Sequence, residues 1–402
     1  MQGCRNRPKK PRMTLRIQDP ADPQSEFLID ALLSACRGAQ AGGGAFAFLS
    51  SGGVRLLLKD DSFAGFMSQG TFDFVVGVDA ITNTAAVNEL VAVQRLHPSL
   101  GARVLLPAHP RSIFHPKFAW FDHGDGGVLL TGSGNLTGGG LRWNVEAFAV
   151  QELNAMQMAS LRGQWNAYLL RSAACLREPS DAQVVALLER NTAMSRAVRR
   201  AGFHIQGEAV AELAAAPVVE APSLERPRVV QEPGIGAAEE AVDEVPPIGD
   251  ATPALVAEIP RGTADGRIQA NFSKQRFEDF FGASASAQRP CLLLQVRADG
   301  TLAGHEVRPP IFTQSTNFRL ELGAGRGAIY PQEGRPIGLF VRVVTRTFLY
   351  MLLMPGDAGH TEVSALLDRS TRAGRNMRQI PFDVADVRAA WPASPLWRRF
   401  TL

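Results

Sequence analysis

Apolar and polar residues follow two rhythms along the first half of the chain, and each rhythm marks a kind of element. Apolar positions three and four apart predict helices within "SEFLIDALLSACRGA" (25–39), "NTAAVNELVAVQRL" (83–96), "MQMASLRGQWNAYLLRSAA" (156–174) and "DAQVVALLERNTAMSRAVRRA" (181–201). Ser25 is the expected cap of the first helix. Short apolar or alternating runs predict strands at Gly44–Ser50, Phe72–Asp79, Ala102–Ala108, "IFHPKFAWF", "GGVLLTGS" and "NVEAFAVQE". Strands interleaved with helices make residues 15–205 an α/β layered domain with a mixed sheet.

The rhythm then stops. Between Gln206 and Pro260 there is no aromatic residue, and 11 acidic residues stand against 2 basic ones. Such a segment cannot bury enough apolar surface to offset chain entropy, so residues 206–262 read as an acidic Ala/Pro/Glu-rich linker. Residues 263–402 return to apolar patterning, mostly of strand type, with helices expected near Asn271–Phe281 and Val363–Arg378. This second region is β-rich and basic, with 18 basic and 12 acidic residues.

Composition changes the picture only modestly. A length of 402 residues suits two or three domains, and 45% hydrophobic residues suffice for sizeable cores. A formal charge of +3 permits an anionic partner without requiring one. Cys4, Cys36, Cys175 and Cys291 are scattered, with no CxxC pair, which disfavours a disulfide framework or a zinc site. Residues 1–14 read as a disordered basic arm with no apolar stretch behind it, and Met13 is an alternative start. No apolar run approaches the roughly 18 residues that span a bilayer. The expectation is a cytoplasmic protein with no membrane partner, no cofactor and no metal.

The chemistry concentrates between Phe114 and Phe148. His115 and Lys117 are two apart on one expected strand, so both side chains share a face. Ser133 and Asn135 stand two apart at the end of the next, and Glu146 sits in the strand after that, among apolar residues. Three neighbouring strands would gather all five. A lysine and an asparagine beside a histidine make an anion site, where cationic and amide donors hold phosphoryl oxygens and the imidazole acts as nucleophile or base. A carboxylate behind the other ring nitrogen would fix its tautomer. The Gly-rich "GNLTGGGL" adds backbone N–H groups.

This pattern resembles the phospholipase D superfamily. Its signature is H-x-K-x4-D, then G-S-x-N, then a Glu eleven residues after the Asn, and His115, Lys117, Asp122, Ser133, Asn135 and Glu146 meet it position by position. The insert "HGDGG" lengthens the gap after Asp122, as a longer hairpin would. The resemblance covers roughly residues 15–200 and implies a phospholipase D-like mixed sheet sandwiched by helices. It further implies a metal-independent reaction. His115 would form a covalent phosphohistidine, Lys117, Ser133 and Asn135 would hold non-bridging oxygens, and Glu146 would orient His115. Asp122 reads as structural.

The family's mechanism needs two histidines, and none of the other six begins a second H-x-K triplet. One motif per chain implies a homodimer with one shared site. It also tilts the substrate toward nucleic acid, and the leading reading is a DNA nuclease with restriction or phage defence as the setting. Arg111 is a candidate strand contact. Arg369, Arg372, Arg375 and Arg378 recur every three residues and would form a basic stripe on one helix. The layout is also similar to that of restriction enzymes of this family that join the catalytic domain to a B3-like DNA-reading domain. The alternatives are a lipid or other non-nucleic-acid phosphodiesterase, and a nuclease subunit recruited by a partner protein of a defence system.

Overall fold

The computed structural model describes residues 13–78, 81–106, 113–201, 243–260, 268–282, 289–308, 311–312, 317–370 and 377–402. The chain divides into two compact units. The first comprises Met1–Asp19 and Glu26–Asp243, and the second Pro20–Ser25 and Glu244–Leu402.

The first unit is built on eight strands: β1 (Met13–Gln18), β2 (Ala41–Phe46), β3 (Thr71–Gly77), β4 (Leu100–Leu105), β5 (Lys117–Asp122), β6 (Gly126–Gly132), β7 (Glu146–Asn154) and β8 (Leu176–Arg177). They form one mixed sheet in the order β1-β7-β6-β5-β2-β3-β4-β8. The helices are α1 (Leu28–Cys36), α2 (Ser51–Leu58), α3 (Asp61–Met67), α4 (Thr84–Leu96), α5 (Ala155–Arg171) and α6 (Ala182–Ala201). Successive strand residues face opposite sides, and β5 shows what each side meets. Phe121 lies edge-on to Phe66 of α3, 5.7 Å between centroids. Its neighbour Trp120 packs into a cluster with Met158 and Trp165 of α5. Helices therefore cover both faces of the sheet, as expected from the patterning.

Several elements were not visible in the patterning. β1 is largely exposed, and it pairs along β7 from Met13↔Gln151 to Gln18↔Glu146. α2 opens on Ser-Gly-Gly, residues that disfavour helix. It forms because the Ser50 hydroxyl caps it, accepting from Gly53 N. Ser25 is not the cap of α1. The residue before that helix is Phe27, which provides no side-chain bond, and the Leu28 N–H is taken instead by Gln18 Oε1 at 2.9 Å. The expected strand through Ile113–Phe121 begins only at Lys117, after Pro116, which has no N–H to give a ladder.

The second unit is β-rich, as expected. Its strands are β9 (Pro253–Glu258), β10 (Gln269–Ser273), β11 (Cys291–Val296), β12 (Leu302–Arg308), β13 (Ile311–Phe312), β14 (Asn317–Glu321), β15 (Ile337–Val344), β16 (Thr347–Leu353) and β17 (Gln379–Asp383). Six form a sheet in the order β12-β11-β16-β15-β9-β17, and three form a second sheet, β10-β14-β13. Phenylalanines fill the core, with Phe277 stacked on Phe318 at 4.4 Å. β9 lies inside the span read from sequence as linker. It is an interior strand of the larger sheet, between β15 and β17, because "ALVAEI" is apolar enough to be buried on both sides. Helix α7 is described over His360–Ser370, and α8 (Val384–Ala390) follows β17. Among the described residues no helix is long and apolar enough to cross a membrane.

One ionic cluster in this unit has a consequence for its stability. Glu258, at the end of β9, is 8% exposed and accepts from the Arg378 guanidinium at 2.9 Å, the Arg378 N–H at 2.9 Å and Arg335 at 3.1 Å. Burial alone would raise its carboxyl, but the bonds and charge of Arg378, with Arg335, outweigh this and hold it below the ordinary carboxylate range. A carboxyl lowered on folding stabilises above its unfolded-state value, and that contribution fades as pH falls through the folded value. Calorimetry of Glu258→Gln should therefore show a unit destabilised by about 1–3 kcal/mol at pH 7. The difference from wild type should shrink as pH drops below about 4.

Candidate active site

The sheet brings one end of each of four strands to the same edge. Lys117, the first residue of β5, pairs with Phe46, the last of β2. On its other side β5 pairs with β6 through Phe118↔Thr131, and the last residue of β6, Gly132, pairs with Phe148 near the start of β7. His115, Lys117, Ser133, Asn135 and Glu146 all lie at this edge.

His115 precedes the strand and is exposed, while Phe114 before it is buried. Lys117 is 8% exposed, and its ammonium lies 3.0 Å from His115 Nε2 and 3.2 Å from Nδ1. An ammonium has only protons to give, so the ring nitrogen it bonds acts as an acceptor. The Phe48 ring backs both groups. It lies 5.9 Å from the imidazole in an edge-to-face arrangement, and 6.0 Å from the Lys117 nitrogen.

Asn135 is buried in the turn after β6, where its Oδ1 accepts from Phe48 N at 3.2 Å. That bond turns the amide so that its NH2 group faces away from Phe48. The whole segment from Phe48 to Ser50 is fixed in the same way. Leu49 N donates to Thr82 Oγ1 at 3.1 Å, and Ser50 N donates to the Leu136 carbonyl at 3.1 Å. Thr82 is held in turn by α6, where Asn191 Nδ2 donates to the Val78 and Thr82 carbonyls at 2.8 and 2.9 Å.

Ser133 Oγ bonds Glu146 Oε2 and receives the Ala147 N–H at 3.1 Å. The other carboxylate oxygen of Glu146 accepts from Asn144 Nδ2 at 3.3 Å. These bonds place Glu146 against Ser133. Asp122, at the far end of β5, accepts from Arg162 at 2.7 Å and Gly124 N at 2.8 Å, which suits its reading as structural.

Sequence reasoning missed the residues that hold the connection between Asn135 and Glu146. Fully buried Gln18 donates to the carbonyls of Gly140 and Asn144, at 3.3 and 2.9 Å. Arg142, 2% exposed, lies over the Phe27 ring at 4.3 Å and pairs with Asp30 at 3.4 Å. A buried arginine inside a glycine-rich turn was the available signal. Beside His115 a groove of about 630 Å³ is lined by Phe114, Pro116, Phe118, Trp165, Tyr168 and Arg171. Trp165 and Tyr168 stack there at 5.6 Å.

The arginines are distributed differently. Arg111, Arg372 and Arg375 lie outside the described residues. α7 ends at Ser370, so Arg369 stands in its last turn, while Arg378 lies beyond it and is engaged by Glu258 and Asp368. Of the expected stripe, only Arg369 and Arg378 are described, and Arg378 lies outside α7. Arg378 is turned inward because a buried carboxylate beside it requires a counter-charge.

The six motif positions thus stand at one mixed sheet, five of them at one edge and Asp122 at the far end of β5. No family model matches the chain, and no curated protein does. Among solved structures it is similar to NucT from Helicobacter pylori, at 14% identity and TM-score 0.30, over 42% of this chain and 98% of that one. It is also similar to Nuc from Salmonella typhimurium, a phospholipase D family member, at 16% identity and TM-score 0.31, over 42% and 97%. A third likeness is to phosphatidylserine synthase from Haemophilus influenzae, at 15% identity and TM-score 0.32, over 48% of each chain. These are loose likenesses in fold.

The packing of the site admits a sharp steric test. A Cβ on Gly53 would sit 1.9 Å from the Leu136 carbonyl oxygen, a backbone atom that no side-chain rotation can move away. Gly53→Ala should therefore cost about 1–3 kcal/mol by overpacking, read as a lower melting temperature. Gly65→Ala in α3, where an added Cβ meets nothing within 4 Å, serves as the control.

Proposed function

We propose that the protein is a metal-independent phosphodiesterase that cleaves DNA through a covalent phosphohistidine, at a site shared by two copies of the chain. The observation that carries this reading is the contact of buried Lys117 with the ring nitrogens of exposed His115, at 3.0 and 3.2 Å, next to the fixed amide of Asn135. A ring nitrogen of His115 attacks phosphorus, the bond to the leaving oxygen breaks, and His115 of the second copy gives that oxygen its proton. Water, losing a proton to the same second histidine, then attacks phosphorus and frees His115. Lys117, Ser133 and Asn135 stabilise the charge on the non-bridging oxygens, the role a metal plays elsewhere. Glu146 contributes a fixed carboxylate to this site and orients an imidazole.

The groove beside His115 has room for a base and sugar flanking the scissile phosphate, with stacked rings on its wall. The second unit, by its basic character and layout, selects the DNA or a partner, and a restriction or phage-defence setting suits such a pairing. Its likeness to B3-type DNA readers is one of layout. The apolar lining of the same groove favours one further reading, a lipid phosphodiesterase. Recruitment as a nuclease subunit by a partner protein is compatible with the same site.

Purified protein incubated with supercoiled plasmid in excess EDTA should nick or linearise it. His115→Ala should lose more than about 1000-fold of that rate, and Asn135→Ala about 100-fold or more. Cleavage that survives His115→Ala would exclude the phosphohistidine route. Turnover of phosphatidylcholine vesicles with no turnover of plasmid would establish the lipid reading instead. A chain that is monomeric by light scattering and fully active would rule out the shared site.

A further inference from the structure

We propose that Asp243 is a positioning residue of the site: it holds the turn that presents Asn135. The proposal rests on the reading of Asn135 as a catalytic donor. Asp243 lies far along the chain from the motif, and it is the last residue of the first unit. Its side chain is 2% exposed. Oδ1 accepts from Ser50 Oγ at 2.6 Å and from Gly138 N at 2.9 Å, and Oδ2 accepts from Gly52 N at 2.7 Å. One carboxylate therefore ties the start of α2 to the turn that carries Asn135.

Capping α2 does not by itself account for this arrangement. Ser50 already caps that helix through Gly53 N at 3.1 Å. The bond to Gly138 instead reaches the opposite segment, three residues after Asn135. That segment meets residues 48–50 through the Phe48 N–H to Asn135 Oδ1, and through the Ser50 N–H to the Leu136 carbonyl. Asp243 closes the same seam from the other side. The fit is close, since a Cβ on Gly52 would lie 2.5 Å from Asp243 Oδ1. Burial holds the Asp243 carboxyl above the ordinary carboxylate range, only partly offset by the Ser50, Gly52 and Gly138 bonds and the charge of Arg55. Without the carboxylate, two buried N–H groups lose their acceptors and the seam is free to part. Asn135 then presents its NH2 group less accurately, a change felt mainly in the transition state.

The test uses the full chain, with bis(p-nitrophenyl) phosphate as probe. Asp243→Ala and Asp243→Asn are measured in the wild-type and Asn135→Ala backgrounds. The expected result for Asp243→Ala is a kcat lower by roughly 10- to 100-fold with KM changed less than about twofold. In the Asn135→Ala background the same substitution should add less than about a twofold loss, because it acts through a group already removed. Asp243→Asn, which keeps one acceptor oxygen, should fall between, and it is the variant to read if the alanine form is insoluble. Wild-type kcat in the variants, or losses that multiply in the double variant, would overturn the proposal. Should wild type itself show no His115-dependent turnover, the functional reading fails and amide exchange decides this proposal on its own. Exchange at Phe48 should then be about tenfold faster or more in Asp243→Asn with Leu188 unchanged. Equal protection of Phe48 in the two proteins would overturn it.

Discussion

The site depends on one seam, where the backbone of residues 48–53 meets that of residues 135–138. Phe48, Ser50, Gly52 and Gly138 each give a backbone N–H to a specific acceptor in or against this seam. Glycine at 53 lets the two backbones approach within a distance that no side chain tolerates. The seam lies at the edge of the sheet where β2, β5, β6 and β7 bring their ends together. Sheet register thus sets Lys117, which holds His115 just before the strand, and the seam sets Asn135. Buried backbone donors are costly to leave unmatched, so the arrangement resists small shifts. That rigidity is what electrostatic stabilisation of a charged transition state requires.

Much of this was legible in the sequence, because the relevant signals are local. The period-two spacing of His115 and Lys117 was enough to place that pair together. The apolar flanks of Glu146 placed it on a strand, which β7 confirms. The long amphipathic segments α4, α5 and α6 were recognisable within three residues of their ends. What stayed hidden depends on partners distant in the chain. Gln18 is polar on a strand with three exposed apolar residues, and nothing near it indicates that it caps α1 and holds Gly140 and Asn144. Likewise "SGGVRLLL" does not look like a helix until the Ser50 cap and the packed glycines are seen.

Charge read alone hid a buried pairing. Arg369 stands in α7, while Arg378 lies outside that helix and turns to the buried carboxylate of Glu258. The acidic stretch after Gln206 offered the opposite lesson. Its composition reads as solvated chain, but it ends in a strand that forms part of a sheet, because β9 is apolar between its flanking acids. Aggregate charge averaged these two behaviours together.

The covalent step separates this account from any other use of the same residues. Protein mixed with a short phosphodiester oligonucleotide, quenched in alkali within the first turnover and digested, should yield a peptide bearing a phosphoryl-linked fragment on His115. The adduct should be lost on brief acid treatment. Cleavage that proceeds with no adduct on His115, or with the adduct on another side chain, would contradict the account.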